Sequence, residues 1–219
     1  MTDLDFKLLE SYESPGVFIR IDPEVESKLC GLPEVHDRVS GCVEFCYLLH
    51  AGRVVTYKSF EETLSTEDVI NRRRFLRAAL SEYASMEDAA ICDFRQNRLG
   101  APLKMRETGD PRIHVIRLLR HSNVHLKSTG LEVASRDAYW EGPDGRQDFK
   151  YKLLYARDLG QMIRATRDAN KYTPESLARM IEWLESEQME WGIGHAVLRT
   201  AELYAKTLLG NLASSHVGL

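Results

Sequence analysis

The stretch TEDVINRRRFLRAALSEYASMEDAAICDF, residues 66 to 94, constrains the fold more than any other. Leu76, Ala79, Leu80, Tyr83, Met86, Ala90 and Ile91 recur at i, i+3, i+4 spacing along it. A repeat sustained over four turns fits one geometry, the amphipathic helix, because strand side chains alternate with a period of two. The chain is therefore built around a long helix with one apolar stripe.

The rest of the sequence supplies further helices. Residues 34 to 50 repeat apolar positions at helical spacing. RQNRLGAPLKMRETGDPR reads as a loop, since Gly100, Pro102, Gly109 and Pro111 interrupt helical geometry. Asp110 as a cap and Pro111 in the first turn then begin a new helix, which stops at Gly130. LGQMIRATRDANKY is expected to be helical up to about Asn170. Thr173 and Pro174 open another helix, with Leu177, Met180, Ile181 and Leu184 on its inner face, and WGIG separates it from a last amphipathic helix, HAVLRTAELYAKTLL.

One region departs from this pattern. LEVASRDAYWEGPDGRQDFKYKLLYA alternates apolar and polar residues on both sides of GPDG, which is the signature of a β-hairpin at about 131–155. PGVFIRIDP, near the start, reads as a short strand or an extended lead-in. The expectation is thus a mainly α fold: a single helical domain over 1–219, with an extended lead-in over 1–33 and the hairpin inserted into the bundle.

Composition agrees with one domain, since 219 residues at 43% hydrophobic content can enclose a substantial core. No stretch approaches the roughly 18 consecutive apolar residues of a membrane span, and the start, MTDLDFKLLESYESPG, is acidic, so a cytoplasmic protein with no membrane partner is expected. Cys30, Cys42, Cys46 and Cys92 lack CxxC spacing and read as buried thiols.

Charge is unevenly placed on a chain of formal net charge −4. From Arg95 to Lys127 eight basic residues stand against two acids, and NRRRFLR just upstream adds four arginines. A basic surface on an acidic body steers one polyanion without binding nucleic acid indiscriminately.

The helix that begins at Pro111 ends in this basic segment. Its last part, VIRLLRHSNVHLKSTG, crowds Arg120, His121, Asn123 and His125 into six positions. On a straight helix Arg120 falls among Ile113, Ile116 and Val124, on the apolar face, where an unpaired guanidinium needs an anion, a carbonyl cluster or a subunit boundary. A bend at Ser122 and Asn123 would instead bring Arg120 and His125 together.

LLRHSNVHL resembles the R-x4-6-H motif of HEPN domains, compact helical bundles found in many prokaryotic ribonucleases of toxin and defence systems. Carried over, Arg120 and His125 are the motif pair and His121 takes the polar position after the Arg. The resemblance spans roughly residues 34 to 205 and implies a HEPN-like bundle that the hairpin interrupts. It implies a metal-independent endoribonuclease, without cofactor, acting on RNA as a homodimer in a bacterial defence or toxin–antitoxin system, with an antitoxin as a further partner. Arg120, His125 and His121 would be catalytic; Asn123, Arg117 and Arg112 would bind substrate. The alternative is a non-catalytic HEPN-like module that binds RNA, a nucleotide or a protein partner.

Other chemistries have less behind them. His121 and His125 have a spacing that can hold zinc from one helix face, but no HExxH is present and no carboxylate sits at a matching position, so no metal is expected. P-loop, GxSxG and Rossmann glycine patterns are absent from the sequence.

Overall fold

The computed structural model describes residues 3–10, 20–50, 54–55, 66–122, 130–142 and 145–216. Among them run α1 (Lys7–Glu10), α2 (Pro23–Leu29), α3 (Pro33–His50), β1 (Val54–Val55), α4 (Thr66–Gln96), α5 (Pro111–Ser122), β2 (Leu131–Gly142), β3 (Gly145–Ala156), α6 (Leu159–Arg164), α7 (Pro174–Glu190) and α8 (Ile193–His216). Two 3-10 turns, Met105–Glu107 and Arg167–Lys171, punctuate the loops. The architecture is mainly helical with a small antiparallel sheet. No helix among the described residues is long and apolar enough to cross a membrane.

The long stripe on α4 is buried as its spacing requires: Leu76, Ala79, Leu80, Tyr83, Met86 and Ala90 are fully enclosed, and Phe94 extends them by a turn. Helix α3 lies antiparallel along it. Arg38 near the start of α3 meets Glu82 at 2.9 Å, the Cys42 thiol donates to Ala79 O at 3.5 Å, and Leu49 O accepts from Arg72. Burial of each such side chain contributes about 1.5–3 kcal/mol, which makes this pair the main apolar seam of the domain. At its end, Asp93 on α4 accepts from the backbone N–H groups of Glu34 and Val35, satisfying donors that the first turn of α3 leaves open.

Helix α5 crosses the interior and packs against α4, α6, α7 and α8. Asp110 starts it as expected, accepting from Arg112 N at 2.9 Å. The Tyr83 hydroxyl donates to Ile113 O at 3.0 Å, tying the first turn to α4.

The hairpin forms with β2 and β3 in antiparallel register from Leu131 opposite Ala156 to Gly142 opposite Gly145, and β1 adds a short third strand on the other edge of β3. It is fastened to α7. The Gln188 amide exchanges two hydrogen bonds with the backbone of Ala156, 2.9 and 3.1 Å, and Arg136 donates to Met189 O at 2.9 Å.

Three expectations need correction. The 1–33 lead-in is not simply extended: Asp22 caps α2, Pro23 occupies its first turn, and Val25 and Leu29 bury one face of it. Most of PGVFIRIDP, through Ile19, lies outside the described residues. The helix expected to reach Asn170 stops at Arg164, where Thr166 turns its hydroxyl onto Ile163 O at 2.8 Å and the chain continues as a 3-10 turn. Threonine, aspartate and asparagine all compete with helix geometry by bonding to nearby backbone. The cysteines divide: Cys42 and Cys46 are buried, with burial pushing Cys46 up to about 12, whereas Cys30 and Cys92 are exposed.

Candidate functional site

Helix α5 is enclosed on every side for most of its length. Pro111 through Ile116, Leu118, Leu119 and Ser122 are buried, so depth along the axis, rather than angle around it, decides what reaches solvent. Only the last turns emerge. Arg117 is half-buried and Arg120 and His121 are exposed, three residues that share one side at i, i+3 and i+4.

This placement overturns the expectation of an arginine inside an apolar face. Ile113, which shares that side of the helix, is buried because it lies at the deep end, while Arg120 has reached the surface. Its guanidinium therefore needs no subunit boundary to be stable. Among the described residues it makes no hydrogen bond or ion pair. Ser122, the last described residue of α5, donates its hydroxyl to Leu119 O at 2.7 Å. Asn123 and His125 follow at once and lie outside the described residues.

Arg112 has a different fate from that expected of a substrate-binding group. Its guanidinium grips Asp110 through Nε to Oδ1 at 3.0 Å and Nη2 to Oδ2 at 2.6 Å, with both side chains about nine-tenths buried. The pair locks the start of α5, at the deep end and away from the exposed turn.

The 3-10 turn Arg167–Lys171 completes the exposed end. Asp168 sits over α5 with Oδ2 3.4 Å from His121 Nε2 and 3.6 Å from Arg117 Nη2, while Lys171 reaches back to its Oδ1 at 2.7 Å. The Lys171 hydrogen bond holds the Asp168 carboxyl below its ordinary value. Tyr172, next in the chain, extends the cluster inward: its hydroxyl lies 2.7 Å from His114 Nδ1, and His114 Nε2 meets Thr108 O at 2.9 Å. Because the carbonyl only accepts, His114 carries its proton on Nε2, and the tyrosine donates to Nδ1. Burial lowers the His114 imidazole and raises the Tyr172 hydroxyl, which keeps both neutral.

Burial, with Arg117 adding, also lowers His121, and Asp168 opposes them. The ring is thus neutral at neutral pH. Nε2 faces the Asp168 carboxylate at 3.4 Å, an ion-pair distance whose field favours a proton on that nitrogen and leaves Nδ1 as the basic one. The exposed end of α5 accordingly joins a proton acceptor to a cation that has no partner among the described residues.

Part of this is ordinary helix chemistry. Arg120 and His121 in the last turn suit the negative end of the helix dipole and would do so without any ligand. Asp168, Lys171 and Tyr172 are not explained that way, and sequence reasoning missed all three. Their signal was the TRDANK segment, polar turn-forming residues at the end of an apparent helix.

Among the described residues no three His, Cys, Asp or Glu side chains converge as metal ligands. Compared with family models, curated proteins and solved structures, the chain matches none.

Proposed function

We propose that the protein is a metal-independent endoribonuclease whose site is the exposed end of α5, with a second copy of the chain supplying the other half. The observation that carries this reading is an exposed Arg120, without a partner among the described residues, beside a neutral His121 that faces the Asp168 carboxylate. A guanidinium matches a phosphodiester bidentately, and a neutral imidazole accepts a hydroxyl proton at neutral pH.

In the reaction, His121 Nδ1 takes the proton of a ribose 2'-OH as the 2'-oxygen attacks phosphorus. Arg120 stabilises charge growing on the phosphoryl oxygens. The bond from phosphorus to the 5'-oxygen breaks, and that oxygen receives a proton from an imidazolium, for which His125 of either copy is the candidate. The products are a 2',3'-cyclic phosphate and a 5'-hydroxyl end. The HEPN resemblance of LLRHSNVHL supports this chemistry and the homodimer, and suggests a cytoplasmic toxin or defence role, with an antitoxin as an additional partner.

Incubation of the purified protein with RNA in excess EDTA tests the reading. Cleavage with cyclic-phosphate ends is expected, and Arg120→Ala should slow it by about a hundredfold or more, with His125→Ala comparably impaired. Intact RNA that is nevertheless bound by folded protein would establish the non-catalytic module instead, and cleavage lost in EDTA would point to a metal site.

A further inference from the structure

Asp168 takes part in no chemical step written above, yet the exposed end of α5 is arranged around it. A carboxylate whose task was to neutralise Lys171, three residues on in the same turn, would have no need of α5. This one also faces two α5 side chains a turn apart, Arg117 at 3.6 Å and His121 at 3.4 Å, and it is mostly buried among them, at 19% exposure. The turn that carries it is fixed at both ends. Thr166 bonds back to Ile163 O, Ala169 is buried, and the Tyr172 hydroxyl is held by His114.

We propose that Asp168 is a positioning residue for His121: by holding Nε2 it fixes the ring and turns Nδ1 to the opposite side, where it can meet a 2'-hydroxyl. The proposal rests on the ribonuclease reading of the same site. A His whose second nitrogen is held by a carboxylate is oriented before substrate arrives, which supplies the alignment that proton transfer needs. Among the described residues the charged groups around the ring are Arg117 and Arg120 from α5 and Asp168 and Lys171 from the turn.

The test compares Asp168→Asn with Lys171→Met, following the His121 ring by NMR through a pH titration and measuring RNA cleavage by Asp168→Asn alongside. Asp168 favours the imidazolium and Lys171 disfavours it, so the two variants should move His121 in opposite directions. Asp168→Asn should lower its midpoint by about one pH unit. Lys171→Met should raise it. In cleavage, Asp168→Asn should reduce kcat about tenfold with little change in KM, and shift the acidic limb of the pH profile downward. Asp168→Glu, which keeps the charge, should recover part of the midpoint and guards against a misfolded Asn variant.

If both variants leave His121 unmoved, or shift it the same way, Asp168 serves only Lys171 and the proposal is overturned. A wild-type protein that cleaves no RNA at any pH, while the opposite shifts persist, overturns the ribonuclease reading and leaves Asp168 as the group that orients His121.

Discussion

His195 and His121 each stand beside a carboxylate and arginines, but at opposite depths. His195 on α8 is 2% exposed, with Nδ1 3.0 Å from Glu187 of α7 and Nε2 accepting from Arg199 at 3.3 Å. Arg199 continues to Glu202 at 2.6 Å, and Glu202 to Lys206 at 2.8 Å, so the chain of charges runs out to the surface with both imidazole nitrogens in use. His121 is 38% exposed and, among the described residues, has a carboxylate on one nitrogen. The same residue types thus make a structural tie when both nitrogens are engaged inside the protein, and a candidate site where the ring lies partly exposed at the end of a helix.

The largest effect that would break this comparison lies on the buried side. Glu187→Ala strips the buried partner from His195 and should cost about 3–5 kcal/mol of unfolding free energy in urea denaturation, because a buried charge network left incomplete is strongly penalised. A loss near zero would mean that solvent reaches His195 and that the two histidines are not at opposite depths.

Acid should sharpen the contrast. His50, at the end of α3, has a buried Nε2 with no hydrogen-bond partner among the described residues, and Gly192, just after α7, leaves room for it: a Cβ there would stand 2.8 Å from the His50 ring. Gly192 also takes φ +94°, a left-handed backbone that glycine adopts at no steric cost. Burial, with His195 and Arg72 adding, pushes His50 from 6.5 down to about 4. Its folded value lies below its unfolded one, so between these values the unfolded chain binds the extra proton. The fold keeps its full stability from this group above pH 6.5 and loses it as pH falls towards about 4, a loss on the order of 3 kcal/mol. Denaturation midpoints at intervals through that window should fall steadily in the wild type and less steeply in His50→Gln. Protonation of the partly exposed His121 as pH falls should change activity and leave the fold largely alone.

The smallest effect is at the exposed end. Arg120→Ala removes a side chain without a partner among the described residues, so stability should change by less than about 0.5 kcal/mol even where cleavage is lost. A larger loss of stability would make Arg120 structural and dissolve the distinction from His195.

Much of the fold was legible because its signals are local. The stripe from Leu76 to Ala90, the Asp110 and Pro111 start of α5, and the alternation on both sides of GPDG each report a hydrogen-bonding geometry that nearby residues satisfy. The site was less legible. Periodicity placed Arg120 on an apolar face, since a helical wheel records angle and omits how deep each turn lies. Arg112 looked available for substrate, since nothing in the order of residues shows a side chain folding back to grip the cap of its own helix.

The sequence by itself determined that this is a helical protein with one inserted hairpin, and that a basic, histidine-bearing segment follows directly upon a core helix. Only the tertiary structure decided that α5 surfaces at Arg117, Arg120 and His121, and that Asp168, paired with Lys171, meets Arg117 and His121 there. The physical reason is range. Helix and strand patterns follow from hydrogen bonds between near neighbours, whereas the protonation and freedom of a side chain depend on groups that reach it from distant parts of the chain.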